Sequence, residues 1–492
     1  MTTFADLRAY LDALDALGDV QPIKRPVSPH LEAAAITRRS TERRFPLPWF
    51  QTVEGVEPGF RLAGALGALS SVPGHPFSRI ALALGVAHTA TSTQLVDHLV
   101  AARRRPPLPP VVGTSAGAPC KQNILLGADA RLDRFPTPLI HQADGAPYLN
   151  TWGVVIAKTP DGRWTNWAIS RVMMLDRYHL TGLVLPQQHL GMIWQEWEKI
   201  GQPMPYALVQ GGDPGVAVVG GMTLPAGADE VAFLGALRGE PVPLVRCETV
   251  DLDVPVGAEV VVEGHLSVAR DATEGPFAEF HGWALAETSR QPVFSVRAIT
   301  HRDDPIWPLC AAGRPVDDSH VSPALAISAE LVDILRAAGL PITTAWMPLD
   351  AACHWTVITV PEDWRASLPG ASTAEFVHRI GEVMSRSRAG RLCPVTYVLD
   401  DDIDPSDNAD VLWALGTRIH PALRQESWPG PIMPWYPCYT EEELHSGHGP
   451  TVIHDGLLPP MGAGRVPPAT FEGVYPPELR AKILAEETNR PG

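Results

Sequence analysis

The sequence predicts an α+β protein, in which a strand-rich barrel or split barrel is followed by an α/β half. Three observations predict this class. Apolar residues recur at helical spacing near both ends, short β-prone runs fill the middle, and 50 prolines with 42 glycines punctuate the 492 residues. The chain is too long for one ordinary hydrophobic core, so we expect two or three domains.

The first hundred residues predict three helices. Residues 4–17 place Phe4, Leu7, Leu11 and Leu14 on one helical face, and Gly18 is a stop signal. An Ala-rich stretch at 31–39 predicts the second helix, and a helical pattern at 91–102 predicts the third. Three arginines and a proline-rich run follow at residues 103–110, as is typical of a helix end that continues into a rigid linker.

The middle of the chain predicts strands joined by turns. The β-prone runs lie at residues 152–158, 164–172, 206–210, 215–219, 242–249, 259–266 and 293–301. The Asp161-Gly162 pair between two of these runs predicts a hairpin. Helices are expected over residues 188–200 and 229–237.

The C-terminal part alternates helix and strand. Helices are predicted over residues 323–338, 373–387 and 408–417, and strands over 345–360 and 395–400. A last charged helix at 477–489 has little chain around it to pack on, so a partner subunit or solvent covers it. We divide the chain into an N-terminal α/β region (residues 1–120), a split-barrel domain (121–318), an α/β oligomerisation domain (319–455) and a tail (456–492).

Composition excludes several classes of function. The chain has 39 Lys and Arg against 55 Asp and Glu, a net charge of −16, so nucleic acid and anionic membrane are poor partners. Its six cysteines lie far apart without a CxxC pair, which favours a reduced, cytoplasmic protein over a disulfide or zinc scaffold. Neither a signal peptide nor an apolar run long enough to span a membrane is apparent.

One loop has the residue types of an acid–base site. Residues 274–282, EGPFAEFHG, bring Glu274 and Glu279 close to His281 in a segment that Gly275 and Pro276 break. Paired carboxylates in a partly dry pocket take different pKa values, so that one can hold a proton near neutral pH. A solvated acidic turn is the alternative.

Two further residues point to the same pocket. Arg171 ends the predicted strand TNWAISR (165–171) on the face that carries Trp167 and Ile169. A guanidinium among apolar neighbours needs an anionic partner, which the Glu274 loop or a bound carboxylate supplies. His189 follows Pro186 at a helix start, and by itself it is more typical of a structural histidine than of a ligand.

Taken together, these stretches resemble the UbiD family of decarboxylases. The motifs that carry the resemblance occur in the family's order: TNWAISR (165–171), HLTGLV (179–184), PQQH (186–189), EGPFAE (274–279) and DDID (401–404). The likeness runs from LEAAAITRR (31–39) through PLIH (138–141) and DVLWA (410–414) to the last helix. Within the family the chain is most similar to the cinnamic and ferulic acid decarboxylases, through PDGRWTNW (160–167) and EFHG (279–282).

The resemblance implies a flavin-reductase-like split barrel that binds prenylated FMN. It implies that Asn166, His189 and Glu230 bind a manganese or magnesium ion that holds the cofactor phosphate. An amide oxygen, an imidazole and a carboxylate suit such a metal. A potassium ion that shares Glu230 is also implied, with main-chain oxygens near Trp167 and Met222. The positions that match the flavin lining of the family are Ile169, Ser170, Arg171, Gln188 and Met222.

The resemblance also implies a catalytic trio of Arg171, Glu274 and Glu279. The guanidinium would bind the substrate carboxylate and keep Glu274 ionised. Glu279, kept protonated by Phe277 and Phe280, would deliver a proton to the carbon that loses carbon dioxide.

The chain departs from the family pattern in two places. Arg388 in RAG (388–390) stands where the family has a lysine, so we expect a phosphate contact of changed geometry. Ala278 replaces a common glycine. The segment 431–438 is not a close match either, and together with residues 392–394 it is expected to shape the substrate pocket.

Smaller features have simpler interpretations. The acidic run at 400–404 is predicted to be a solvated capping turn rather than a metal site. For residues 317–320, DDSH, bordering the substrate and capping the following helix are both open. Cys353-His354 is not expected to form a nucleophile pair, because neighbouring residues on a strand face opposite ways.

The resulting hypothesis is a reversible, non-oxidative decarboxylase of an α,β-unsaturated or aromatic acid. It would act as a homodimer or larger oligomer, and a flavin prenyltransferase would supply its cofactor. The alternatives are a decarboxylase of heteroaromatic acids such as pyrrole or indole carboxylates, a catalytically silent cofactor-binding protein, and a metal hydrolase that uses the Asn166 site.

Overall fold

The computed structural model describes residues 3–284, 286–432, 436–460 and 465–488. Helices and strands are mixed along the whole chain, which confirms the predicted α+β class. Within the described residues no helix is long and apolar enough to cross a membrane.

The N-terminal part packs helices on a small sheet. Its elements are α1 (Leu7–Ala16), β1 (Val20–Ile23), α2 (Glu32–Arg43), β2 (Leu47–Phe50), β3 (Arg61–Gly64), α3 (Ser78–Ala83) and α4 (Ser92–Arg103). Asp6 caps α1 and Gly18 takes a positive φ of 73° just beyond it, while Thr91 and Gln94 form a capping box on α4. The fourth strand of this sheet lies far along the chain, at residues Ile306–Leu309.

The central part of the chain contains one large sheet and several strands that belong to other sheets. Its strands are β4 (Val111–Gly113), β5 (Asn123–Leu126), β6 (Tyr148–Asn150), β7 (Val154–Lys158), β8 (Thr165–Ile169), β9 (Val172–Met174), β10 (His179–Gly182), β11 (Met204–Gln210), β12 (Pro243–Arg246), β13 (Asp253–Pro255), β14 (Val260–Leu266), β15 (Ala272–Glu274), β16 (Ser289–Gln291), β17 (Val293–His301) and β18 (Ile306–Leu309). Its helices are α5 (His189–Lys199), α6 (Pro214–Gly220) and α7 (Glu230–Arg238).

The large sheet has nine strands in the order β6-β9-β10-β17-β14-β11-β7-β8, and β5 pairs with β17. All its pairings are antiparallel, and β7 and β8 form the hairpin predicted at Asp161-Gly162. β12 lies between β4 and β13 in a second sheet, and β15 pairs with β16. Strand β18 joins β3, so residues 1–120 and 121–318 share a sheet.

The C-terminal part is α/β. It contains α8 (Asp318–Ala337), β19 (Thr344–Trp346), β20 (Trp355–Val360), α9 (Trp364–Ser367), α10 (Thr373–Arg386), α11 (Arg388–Arg391), β21 (Val395–Asp400), α12 (Asn408–Arg418), β22 (Gln425–Pro431), α13 (Glu441–Ser446), β23 (His448–Asp455), α14 (Phe471–Val474) and α15 (Pro477–Thr488). Its five strands lie in the order β19-β20-β21-β23-β22, with the central pairs parallel. Short 3₁₀ turns elsewhere lie at Pro119–Lys121, Gly127–Asp129, Leu132–Arg134 and Leu349–Ala351.

One predicted element is of the wrong type, and two others have different bounds. The Val-rich run at 215–219 is helix α6 instead of a strand, because Asp213 caps it and Pro214 suits its first turn. Helix α8 begins five residues before Pro323, since Asp317 forms the cap. Residues 345–360 form two strands separated by a 3₁₀ turn, with Cys353 in a left-handed conformation.

Candidate active site

A cavity of about 310 Å³ lies between the large sheet and helix α8. Its walls come from β8, the start of α5, the segment after α6, and α8 with α11. The predicted cofactor positions that line it are Asn166, Ile169, Ser170, Gln188, His189, Met222, Glu230 and Arg388. Residues predicted from separate motifs therefore surround one space.

The predicted metal ligands meet at one end of this cavity. Strand β8 carries Asn166, and His189 and Glu230 are the first residues of α5 and α7. Asn166 Nδ2 donates to Glu230 Oε1 at 2.8 Å, and His189 Nδ1 lies 3.6 Å from the same oxygen. Asp229 caps α7 through the N–H groups of residues 231 and 232, which fixes the position of Glu230.

The three side chains fit a divalent metal with oxygen and nitrogen ligands. Asn166 Oδ1 is buried and has no hydrogen-bond partner in the described part of the chain, so the amide oxygen is left for a ligand. Trp167 N–H donates to Glu230 Oε2 at 2.9 Å and orients the carboxylate. Among the described residues, no group of three His, Cys, Asp or Glu side chains could hold a metal. The proposed ligand set contains only two side chains of these types, His189 and Glu230, and its third ligand is the amide of Asn166.

Arg388 closes this end of the cavity. It starts α11, which Ser387 caps, and its Nη1 contacts His189 Nε2 and donates to the carbonyl of Leu224 at 3.1 Å. A guanidinium only donates, so Nε2 of His189 is the acceptor and Nδ1 carries the proton. Arg388 thus engages the lone pair of His189 Nε2 in this structure. Burial lowers the pKa of Arg388, with other charges around it acting in both directions.

Arg171 and the two glutamates lie beside a second cavity. This smaller cavity of about 200 Å³ adjoins the first and is lined by Arg171, Phe277 and Glu279. Arg171 Nε and Nη2 donate to the two oxygens of Glu274 at 2.8 and 2.9 Å, and the Glu274 carboxylate is only 1 % exposed. The guanidinium also lies 5.1 Å from the ring centre of Phe277.

The loop 274–282 is held by backbone contacts. Gly275 has a φ of 87°, which favours glycine. The segment 275–276 lies directly against Gly145: the N–H of Gly145 donates to the carbonyl of Pro276 at 2.9 Å, and a side chain at position 145 would collide with the carbonyl of Gly275. This turn brings Glu279 back to Arg171, whose Nη1 contacts Glu279 Oε1. The nearest charged partner of Glu279 is therefore a cation. Phe280 lines both cavities, so Glu279 has the predicted aromatic neighbour and, in addition, the guanidinium of Arg171.

Three domains of one family match this chain in order. They are the 3-octaprenyl-4-hydroxybenzoate carboxy-lyase N-terminal domain (residues 11–99), Rift-related domain (112–315) and C-terminal domain (320–449). The chain belongs to the UbiD family. It is accordingly a carboxy-lyase, as the motifs predicted.

Two curated relatives cover most of the chain. Pyrrole-2-carboxylic acid decarboxylase of Pseudomonas aeruginosa is 37 % identical over 481 residues, which cover 97 % of this chain and 96 % of that protein. Ferulic acid decarboxylase 1 of Saccharomyces cerevisiae is 34 % identical over 424 residues, covering 85 % and 84 %.

Solved structures share the fold. The open form of vanillic acid decarboxylase from Sedimentibacter hydroxybenzoicus superposes with a TM-score of 0.82 over the full length of both chains, at 24 % identity. The UbiD-class enzyme HmfF from Pelotomaculum thermopropionicum, solved in complex with FMN, gives a TM-score of 0.81, also at 24 % identity, over 98 % of this chain and 99 % of that one.

Two residues that support this UbiD-family site, Tyr148 and Asp144, were not predicted. Tyr148 donates its hydroxyl to Glu274 Oε1 at 2.9 Å. Tyr148 lies 126 residues from Glu274, so no local sequence signal links the two. The backbone N–H of Ala278 donates to Asp144 Oδ1 at 3.3 Å, a further long-range contact that sequence reasoning missed.

The positions of the smaller features bear on the interpretations that were left open. Asp317 caps α8, as one interpretation of 317–320 predicted, and Asp318 and Ser319 line the larger cavity, so that a border with the substrate stays a prediction. Asp401, Asp402 and Asp404 are exposed, as predicted for a solvated turn, and Asp402 pairs with Arg418 at 2.7 Å. The run does not cap α12, because the cap of that helix is Asp407, and Asp400 is buried. Leu392 lines the larger cavity, and its role in the substrate pocket stays a prediction. Of the segment 431–438, residues 433–435 lie outside the described residues.

Proposed function

We propose that this protein is a reversible, non-oxidative decarboxylase of an α,β-unsaturated or aromatic carboxylic acid that uses prenylated FMN. The observation that carries the proposal is the sharing of Arg171 by Glu274 and Glu279, beside a cavity whose far end holds an amide, an imidazole and a carboxylate. This arrangement pairs a carboxylate-binding cation and a proton carrier with a site suited to a phosphorylated cofactor.

Asn166, His189 and Glu230 would hold a manganese or magnesium ion against the cofactor phosphate, and Arg388 would contact the phosphate directly. The buried amide oxygen of Asn166, which has no hydrogen-bond partner among the described residues, supports this assignment. A potassium ion beside Glu230 completes the proposed set. The flavin, when bound, supplies the electron sink that no side chain here provides.

Arg171 would bind the substrate carboxylate. Two of its five N–H groups donate to Glu274, and these hydrogen bonds fix the orientation of the guanidinium so that Nη1 faces Glu279. An incoming carboxylate competes with Glu279 for Nη1, and the displaced glutamate can then take up a proton and return it to the carbon that has lost carbon dioxide.

Part of the cavity wall around Arg171 is apolar, which favours conversion of the charged substrate carboxylate into uncharged carbon dioxide. Leu183, Phe277 and Ala312 line the smaller cavity with apolar surface. Apolar surface solvates a charged carboxylate less well than water does, and carbon dioxide is uncharged, so these three side chains favour the product.

A second substrate class is favoured by one comparison. Pyrrole-2-carboxylic acid decarboxylase is the relative that matches over 97 % of the chain, against 85 % for the ferulic acid enzyme. A heteroaromatic acid is therefore the alternative substrate, and the same residues would bind its carboxylate and return its proton.

The test is co-expression with a flavin prenyltransferase, followed by absorption and mass spectra of the released cofactor. Carbon dioxide release is then measured from cinnamic, ferulic, vanillic, pyrrole-2-carboxylic and indole carboxylic acids. Turnover of any of the first three acids supports the main proposal, and turnover of the last two alone supports the alternative. If no acid reacts although the flavin is bound, the protein is a cofactor-binding protein. Ester or phosphate hydrolysis with manganese alone would indicate a metal hydrolase.

We also propose that the protein is a cytoplasmic homodimer or larger oligomer, with α15 packed on a neighbouring subunit. An evolved form of HmfF is described as dimeric, and α12 exposes Leu412 and Trp413. Light scattering of the full chain and of a chain ending at residue 475 tests the role of α15. If α15 packs on a neighbouring subunit, the shorter chain should lose the oligomer.

A further inference from the structure

Two neighbouring carboxylates at the start of α8 differ in how they are bonded. Asp317 accepts from Arg38 Nη1 at 3.0 Å and from the N–H groups of Gly313 and Ser319, and it lies 3.1 Å from His320 Nδ1. Although burial opposes it, His320 and Arg38 hold the pKa of Asp317 below its usual range. Asp317 is thus fully used by the fold.

Asp318 is as deeply buried but incompletely bonded. Its Oδ1 accepts from Gly67 N–H at 2.6 Å, whereas Oδ2 is buried without a hydrogen-bond partner in the part of the chain that the structure describes. Burial, reinforced by the charge of Asp317, raises the pKa of Asp318 to about 6. The thiol of Cys310 makes a side-chain hydrogen bond with Asp318 and also contacts Ser319 Oγ at 3.5 Å, but a thiol is a weak donor and leaves most of the hydrogen-bonding capacity of the carboxylate unused. Most buried side-chain polar atoms in folded proteins have a hydrogen-bond partner, so an unpaired carboxylate oxygen calls for an explanation.

The position of Asp318 indicates what the explanation is. The residue lines the larger cavity but not the smaller one that contains Arg171. Along α8, Ile327 lines the end near Arg388, and Ser319 lines both cavities. Asp318 therefore lies along the cofactor cavity near its junction with the reaction end, where a ring system held at its phosphate by the Asn166 site would extend.

We propose that Oδ2 of Asp318 accepts a hydrogen bond from the ring N–H of the bound flavin. The oxidised flavin ring has a single N–H, at N3, so the proposal specifies one ligand atom. The inference rests on the proposed function, since it requires a flavin in this cavity. The first turn of a 20-residue helix favours a negative charge on the acceptor, and Gly67 fixes the carboxylate through its other oxygen.

The test is Asp318→Asn in the full-length apo-protein, with FMN as the probe. An asparagine keeps an oxygen for Gly67 N–H and turns its amide N–H₂ toward the ligand, so a donor faces a donor. We expect the Kd for FMN, measured by flavin fluorescence quenching, to rise about 10-fold or more, as is usual for loss of a hydrogen bond to a charged group. We also expect the apo-protein to melt at a higher temperature, because an unpaired buried charge is removed.

The matched control is Asp333→Asn on the same helix. Asp333 pairs with Arg103 and Arg104 and does not line either cavity. Its FMN Kd should stay within 2-fold of the wild type. If Asp318→Asn binds FMN as tightly as this control, the ligand presents an acceptor or nothing to Asp318, and the inference is overturned.

A second ligand guards against a variant that fails to fold. N3-methyl-FMN lacks the proposed donor, so the wild type should bind it about 10-fold or more weakly than FMN. Equal affinity for the two flavins would overturn the inference and leave the proposed function intact. If the wild type binds neither flavin, the cofactor assignment fails, and the inference fails with it.

Discussion

Two buried arginine–carboxylate clusters in this protein have the same paired geometry and different surroundings. In the N-terminal part, Arg79 Nε and Nη2 donate to both oxygens of Asp19 at 2.8 and 2.7 Å. In the central part, Arg171 Nε and Nη2 donate to Glu274 at 2.8 and 2.9 Å. Planar, two-point contacts of this kind are the strongest ion pairs that side chains form.

The difference lies in what the remaining polar atoms do. Arg79 also donates to the carbonyls of Ala65 and Phe45, and Asp19 accepts from Ser70 and Ser71, so the cluster is closed. Arg171 borders a cavity, and its third contact is a second carboxylate, Glu279. A cluster that serves the fold satisfies every group internally, whereas a cluster that serves a ligand leaves a position that a ligand can take.

The largest effect is expected from Glu279→Gln. A glutamine keeps the shape but cannot carry the proton, so decarboxylation should fall about 10²- to 10⁴-fold while the flavin spectrum and the melting temperature change little. Rates are measured with the acid that the wild type turns over best. Glu287→Gln, a change at an exposed position farther along the same segment, is the control and should keep full activity. A Glu279→Gln enzyme of normal rate would mean that Arg171 and Glu279 form a structural cluster like that of Arg79.

Breaking the closed cluster should affect stability instead. Arg79→Leu leaves Asp19 buried without its cation, and we expect a loss of about 3–5 kcal/mol in the free energy of unfolding. Denaturant unfolding of the two apo-proteins measures the difference. The double variant Asp19→Leu/Arg79→Leu should recover part of the loss, because no charge is left unpaired. If instead Arg79→Leu were as stable as the wild type and lacked only activity, the contrast between the clusters would be wrong.

Asp318 provides a third case, a buried carboxylate with no cation bonded to it. Burial raises its pKa from 3.8 to about 6, so its contribution to stability is fully present below pH 3.8 and is lost as the pH rises through about 6. A shift of this size corresponds to about 3 kcal/mol. The difference in unfolding free energy between the wild-type and Asp318→Asn apo-proteins should therefore fall by about that amount between pH 4 and pH 7. A difference that is independent of pH would show that Asp318 is not the titrating group.

The sequence predicted local structure better than it predicted contacts. Helices with clear caps, such as those after Thr91 and Ser372, lie where periodicity places them. Helix α6 was missed because the Val-rich run at 215–219 favours a strand by composition, and the deciding signal was the cap at Asp213 with Pro214. Local signals conflicted there, and the turn chemistry decided.

The candidate site shows the same division. Asn166, His189 and Glu230 were named from motifs, and the structure brings them together. The bonds from Tyr148 to Glu274 and from Gly67 to Asp318 join residues 126 and 251 positions apart, and neither partner carries a local pattern that announces the other. Groups that react are concentrated in motifs, whereas groups that support them are set by the tertiary fold.

The smallest effect is expected from the hydroxyl groups that support each cluster. Tyr148→Phe removes one hydrogen bond to Glu274, and Ser71→Ala removes one to Asp19, each for about 1 kcal/mol of unfolding free energy. The two variants should differ in activity, because Glu274 positions Arg171 and Asp19 positions nothing that lines a cavity. We expect Tyr148→Phe to lower kcat several-fold and to leave the retained flavin unchanged, while Ser71→Ala keeps the wild-type kcat. Burial, with the nearby Glu274 charge, raises the pKa of Tyr148 far above its usual value, so the hydroxyl stays a donor and the effect should not vary between pH 6 and pH 9. A kcat for Tyr148→Phe equal to that of Ser71→Ala would show that the orientation of Glu274 does not limit the reaction.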